Sequence, residues 1–95
     1  MVAYEVTIER APSGGEHRFG FRPSELSIKK GDTVAWKNNT SVEHTATSDD
    51  DGVTFDTGSI EPQTTSDPQT INHESGPVPY SCTIHPDMKA TLTVE

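Results

Sequence analysis

Sulfur, positive charge and helical rhythm are all scarce in this 95-residue chain. Cysteine occurs once, as Cys82, and Met88 is the only methionine beyond Met1. One cysteine forms no internal disulfide, so cysteine pairing gives no clue to the compartment. No apolar run approaches the roughly 20 residues that a membrane-spanning helix needs, and no membrane span is expected. Lys and Arg total 7 against 15 for Asp and Glu, a formal net charge of -8. That balance argues against a nucleic acid partner, which demands a basic face. It suits a metal cation or a partner protein with a basic docking face, and an acidic surface also aids solubility in its own right. No stretch repeats its apolar residues with the 3.6-residue period of a helix.

What is present reads as strand and turn. Seven prolines, seven glycines and many Thr, Ser and Val fit short strands at regular spacing. "VAYEVTIER" alternates Val2, Tyr4, Val6 and Ile8 on one face. "FGFRPSELSIKKGDTVAWKN" alternates Leu26 with Ile28, turns at "KKGD", then alternates Val34 with Trp36, which predicts two strands around a tight connection. The segment from Asn39 to Ser66 is polar and loop-rich, with "FDTG" as a short strand and turn, and "TINHES" is a weak strand candidate. Val78, Tyr80 and Cys82 share one face of a later strand, and Pro77 and Pro79 predict that part of it lies at an edge or starts late. "KATLTVE" closes the chain with Ala90, Leu92 and Val94 on one face. The expectation is one all-β domain over residues 1–95, built as a two-sheet sandwich.

The chemistry concentrates near the C-terminus, in "YSCTIHPDMKATLTVE". Cys82, His85 and Met88 stand three residues apart. A thiolate is a soft charged ligand, an imidazole is intermediate, and a thioether is soft and weak. Together they suit copper, which alternates between a soft monovalent and a harder divalent state. Two His and one Cys in a trigonal set, with a long axial Met, make an electron-transfer copper site. The loop supplies one histidine, so the second must come from elsewhere. His44, just past the strand that ends near Asn38, is the foremost candidate, ahead of His17 and His73. A lone cysteine is more often a small buried hydrophobe, but the flanking His and Met reverse that reading. Zinc would call for a fourth strong ligand, which Met is not. A nucleophilic Cys would need an oriented base and an oxyanion hole, which nothing signals.

These residues resemble the cupredoxins, the small blue copper proteins, and within them the amicyanin, plastocyanin and pseudoazurin group. Cys82-x-x-His85-x-x-Met88 is similar to the short ligand loop of amicyanin. "FRPSELSIKKGDTVAWKN" resembles the family's F-x-P-x-x-L-x-I-x-x-G-D-T-V-x-W-x-N, and the spacing from Trp36 to His44 agrees. The likeness runs from about Phe19 to Glu95. It implies a Greek-key β-sandwich with one type 1 copper held by His44, Cys82, His85 and Met88. It also implies that Thr45 and Thr83 tie two ligand loops together. The chain departs from the pattern at Glu43, where a proline is usual, and at Asp87, where amicyanin has Phe. Near Asn72 an aromatic is usual, and here the apolar candidate is Ile71.

The resemblance implies a monomeric, periplasmic or otherwise extracytoplasmic one-electron carrier that meets redox partner proteins, and not an enzyme. "MVAYEV" opens directly into strand alternation, as expected of a chain whose leader has been removed. Two other functions remain open. One is a copper site with small-ligand access, for instance to nitric oxide. The other is a copper-binding or delivery module. Pro86 is expected to stiffen the loop, and Asp87 to favour protonation of His85, so that the reduction potential rises below neutral pH.

Overall fold

The computed structural model describes residues 2–10, 19–85 and 88–95. Eight strands run through them: β1 (Ala3–Arg10), β2 (Phe19–Arg22), β3 (Glu25–Ile28), β4 (Thr33–Asn38), β5 (Thr47–Ser48), β6 (Gln69–Thr70), β7 (Gly76–Ser81) and β8 (Lys89–Val94). One sheet has the order β2-β1-β4-β6 and the other β3-β8-β7-β5. Among the described residues no helix is long and apolar enough to cross a membrane.

The period-two alternation read from the sequence supplies the two inner faces. Val6 and Ile8 of β1, Phe21 of β2, and Val34 and Trp36 of β4 are buried from one sheet. Ile28 of β3, Val78 and Tyr80 of β7, and Ala90, Leu92 and Val94 of β8 are buried from the other. Full burial of a side chain such as Leu92 is worth about 2 kcal/mol, so these two faces supply the main favourable term in folding. Val2 breaks the pattern at 51% exposed, because β1 begins only after it. Trp36 is fully buried, stacked on Phe55 at 4.9 Å and edge-on to Tyr80 at 5.4 Å. Burial raises the Tyr80 phenol above its ordinary pKa.

Both sheets are mixed. β1 pairs in parallel with β4, and β3 in parallel with β8. The "KKGD" connection is tight as expected, but β3 and β4 do not pair with each other: the chain crosses there from one sheet to the other. Gly31, at φ 93°, takes the left-handed backbone that the crossing turn needs. Asp32 holds the turn from within. Its two carboxylate oxygens accept the backbone N–H groups of Val2 and Lys29, each at 2.9 Å, and these bonds hold its pKa below the usual carboxylate value.

The prolines of β7 sit where their missing donors do least harm. β7 lies between β8 and β5, but β5 covers only Tyr80 and Ser81. The Pro79 carbonyl accepts from Asp49 N–H, so the polar edge of Pro79 faces the β5 side and not the β8 ladder. "FDTG" forms an isolated bridge from Asp56 to Thr47, followed by a turn at Gly58. The weak strand expected over "TINHES" lies just upstream, as β6, and Ile71 after it is fully buried.

Candidate metal centre

One end of the sandwich gathers the C-terminal ends of β1 and β4, the start of β2, and the connection from β7 to β8. Three side chains meet there. The ligand atoms of His44, Cys82 and His85 all lie within 4.8 Å of one another. Cys82 Sγ is 3.9 Å from His44 Nδ1 and 3.7 Å from His85 Nδ1. His44 and Cys82 are buried, whereas His85 is half-buried.

Each side chain is fixed by its own element. Cys82 continues the inward face of β7 after Val78 and Tyr80. The connection beyond it is closed by backbone bonds: Cys82 N–H donates to the Met88 carbonyl at 3.1 Å, and Met88 N–H donates to the His85 carbonyl at 2.9 Å. Met88 is thereby drawn back against Cys82, and it is 2% exposed. His44 is held by a reciprocal backbone pair with Ile60, His44 N–H to Ile60 O at 3.2 Å and Ile60 N–H to His44 O at 2.7 Å.

The two ligand-bearing segments are clamped by their threonines. Thr45 N–H donates to Cys82 Sγ at 3.3 Å, and Thr83 N–H donates to Thr45 Oγ1 at 2.9 Å. The Thr45 and Thr83 hydroxyls are 3.1 Å apart. The sulfur therefore accepts a backbone N–H from the segment that carries His44. Burial, reinforced by the nearby His85, lowers the pKa of His44 from 6.5 to about 4, so its ring is neutral, as a metal ligand must be, near neutral pH.

Phe19 opens β2 and packs on both imidazoles, with ring centroids 4.7 Å from His44 and 5.2 Å from His85. Beside His85 lies an open cleft whose wall includes Phe19, Thr40, Val42 and Gln63. Nothing in the residue types of Phe19, Asn38 or Thr40 marked them as neighbours of this centre. The one available signal was the polar run "NNT" shortly before His44.

His73 stands outside the cluster, with Nδ1 2.7 Å from the Glu74 carbonyl oxygen. His17, Pro86 and Asp87 lie outside the described residues, and so do the roles expected of them.

The model of the copper-binding plastocyanin/azurin family matches residues 8–95. The chain belongs to that family. Its fold is that of the cupredoxins, and its cofactor is copper. The donors fit the metal, since one sulfur and two imidazole nitrogens converge on a space closed on one side by Phe19. A purple cupredoxin from Nitrosopumilus maritimus superposes with a TM-score of 0.79 at 24% identity, covering 97% of this chain and 99% of that one. Amicyanin from Paracoccus versutus (Thiobacillus versutus) gives 0.70 at 26% identity, over 98% and 81% of the two chains. The Cu(I) form of an amicyanin variant gives 0.75 at 26%, over 100% and 84%. A search of curated protein sequences finds no match.

Proposed function

We propose that this cupredoxin is a one-electron carrier with a single type 1 copper, which His44, Cys82, His85 and Met88 would hold. The observation that carries the reading is the convergence of the His44, Cys82 and His85 ligand atoms within 4.8 Å on segments already fastened to each other. Copper, when bound, supplies the Cu(I)/Cu(II) couple.

The protein's part is to hold the donors still. The Thr45–Thr83 clamp and the Cys82–Met88 backbone bond leave the donors little freedom to rearrange as charge changes. Phe19 packs against the two imidazoles and limits their movement. His44 is sealed inside, so His85 is the donor through whose outer edge a partner would meet the site. The exposed Val42 and Ile84 flank that approach. The same reading takes the chain as one monomeric domain acting outside the cytoplasm, which rests on the likeness to amicyanin.

The test is direct. Divalent copper added to the purified protein should produce an intense visible thiolate-to-copper band with narrow copper hyperfine splitting. Cys82→Ser should abolish the band, because it arises from the sulfur–copper bond. A wild-type protein that binds copper without the band would overturn the reading. The cleft beside His85 favours a second reading, a copper site open to small ligands. A spectrum that changes on adding azide or nitric oxide would support it.

A further inference from the structure

We infer that the Thr40 hydroxyl fixes the tautomer of His44, keeping the ring proton on Nε2 so that Nδ1 faces the Cys82 sulfur with its lone pair free. The inference rests on the copper-site reading and concerns a residue that reading does not use.

The chain of hydrogen bonds begins at Asn38, which is fully buried. Its Nδ2 donates to two carbonyls, Val42 O at 2.8 Å and Ile60 O at 2.9 Å. Carbonyls only accept, so the amide cannot be turned the other way, and Oδ1 is the acceptor. It receives Thr40 N–H at 3.1 Å and the Thr40 hydroxyl at 2.7 Å.

A hydroxyl has one proton to give. Two acceptors are in reach of Thr40 Oγ1, namely Asn38 Oδ1 and the Val42 carbonyl at 3.0 Å. The 2.7 Å contact with Asn38 Oδ1, an atom that can only accept, holds that proton, so none remains for His44 Nε2, 3.1 Å away. Val42 N–H donates to the same oxygen at 3.2 Å. His44 therefore meets a lone pair on Thr40 Oγ1, and the contact is attractive only if Nε2 carries the hydrogen. In a neutral imidazole the other nitrogen is then bare. That nitrogen, Nδ1, lies 3.9 Å from Cys82 Sγ.

Solvent cannot take over this task from the protein. His44 and Asn38 are 0% exposed and Thr40 is 5% exposed. Removal of the hydroxyl would leave a buried N–H without an acceptor, and the proton would gain by moving to Nδ1, beside the sulfur, where it would compete with the metal. Thr40 is thus a positioning residue that acts on copper through His44.

The experiment measures the ring nitrogens of His44 by 15N NMR in the metal-free protein at neutral pH, in wild type, Thr40→Ser and Thr40→Val, with Cu(II) affinity taken alongside. Wild type and Thr40→Ser should hold the proton on Nε2. Thr40→Val should shift population toward Nδ1–H and weaken Cu(II) binding on the order of 10-fold, with the serine variant restoring both. The wild-type measurement needs no variant to fold, and a proton found on Nδ1 there would overturn the inference. So would a valine variant with the wild-type tautomer, or a serine variant that fails to restore it. The tautomer is read without copper, so the result stands apart from the copper-site reading, which fails separately if the visible band is missing.

Discussion

His44 is the buried end of the donor set, and its burial has a cost that copper-free protein must carry. The folded chain keeps the ring neutral down to about pH 4, whereas the unfolded chain protonates it near 6.5. Between those values the unfolded state binds more protons, so stability is full above about pH 6.5 and falls as pH drops toward 4. The steepest slope from one such group is about 1.4 kcal/mol per pH unit. Urea midpoints of the metal-free protein across that window should show the decline, and His44→Gln should flatten it. An equally steep decline in the variant would assign the effect to other groups. The convergence of His44, Cys82 and His85 was legible, and Met88 joined them as a proposed donor, because thiolate, imidazole and thioether have few uses in combination. Phe19, Asn38 and Thr40 were not, because their contribution lies in where they point and not in what they are.

At the scale of elements, the site depends on how β4 ends. Asn38 is its last residue, and its amide and backbone together brace the loop that carries His44. The backbone N–H donates to Thr64 O at 2.8 Å, and the carbonyl accepts from Gln63 at 2.9 Å. Asn38→Ala would remove one donor from each of the Val42 and Ile60 carbonyls and leave the Thr40 N–H without its acceptor, and should cost about 2 kcal/mol. Chemical denaturation of the metal-free protein measures this, and a loss below half that figure would mean the loop is braced elsewhere. The strands themselves were readable from period-two alternation, because each inner face is buried. Pairing was not readable. Leu26–Ile28 and Val34–Trp36 look alike whether their strands join as a hairpin or part to opposite sheets. The difference lies in Gly31 and Asp32, whose turn carries the chain across the core.

Over the whole molecule, the net charge of -8 outweighs any single surface ion pair. Of these, Lys30–Glu74 at 3.2 Å joins exposed side chains and adds little. A field of one sign acts at a distance: it speeds the approach of a basic partner and is screened beyond about 8 Å at physiological salt. Electron exchange with a basic redox protein should therefore slow as ionic strength rises, and exchange with an acidic one should quicken. Stopped-flow rates across a salt series test this. Salt-independent rates with both proteins would place the docking surface away from the acidic field.

The fully buried Trp36 has one more consequence, an optical one. It is the only tryptophan in the chain, and it lies fully buried against Phe55 and Tyr80. An indole excited in such surroundings has no bulk water beside it to relax it. Its emission should sit at the short-wavelength end of the tryptophan range and shift to the red when the two sheets part. Because Trp36 belongs to β4, two residues before Asn38, this one fluorophore reports on the strand that braces His44 without any label being attached. A native emission already at the water-exposed wavelength would mean that the core around Trp36 admits solvent.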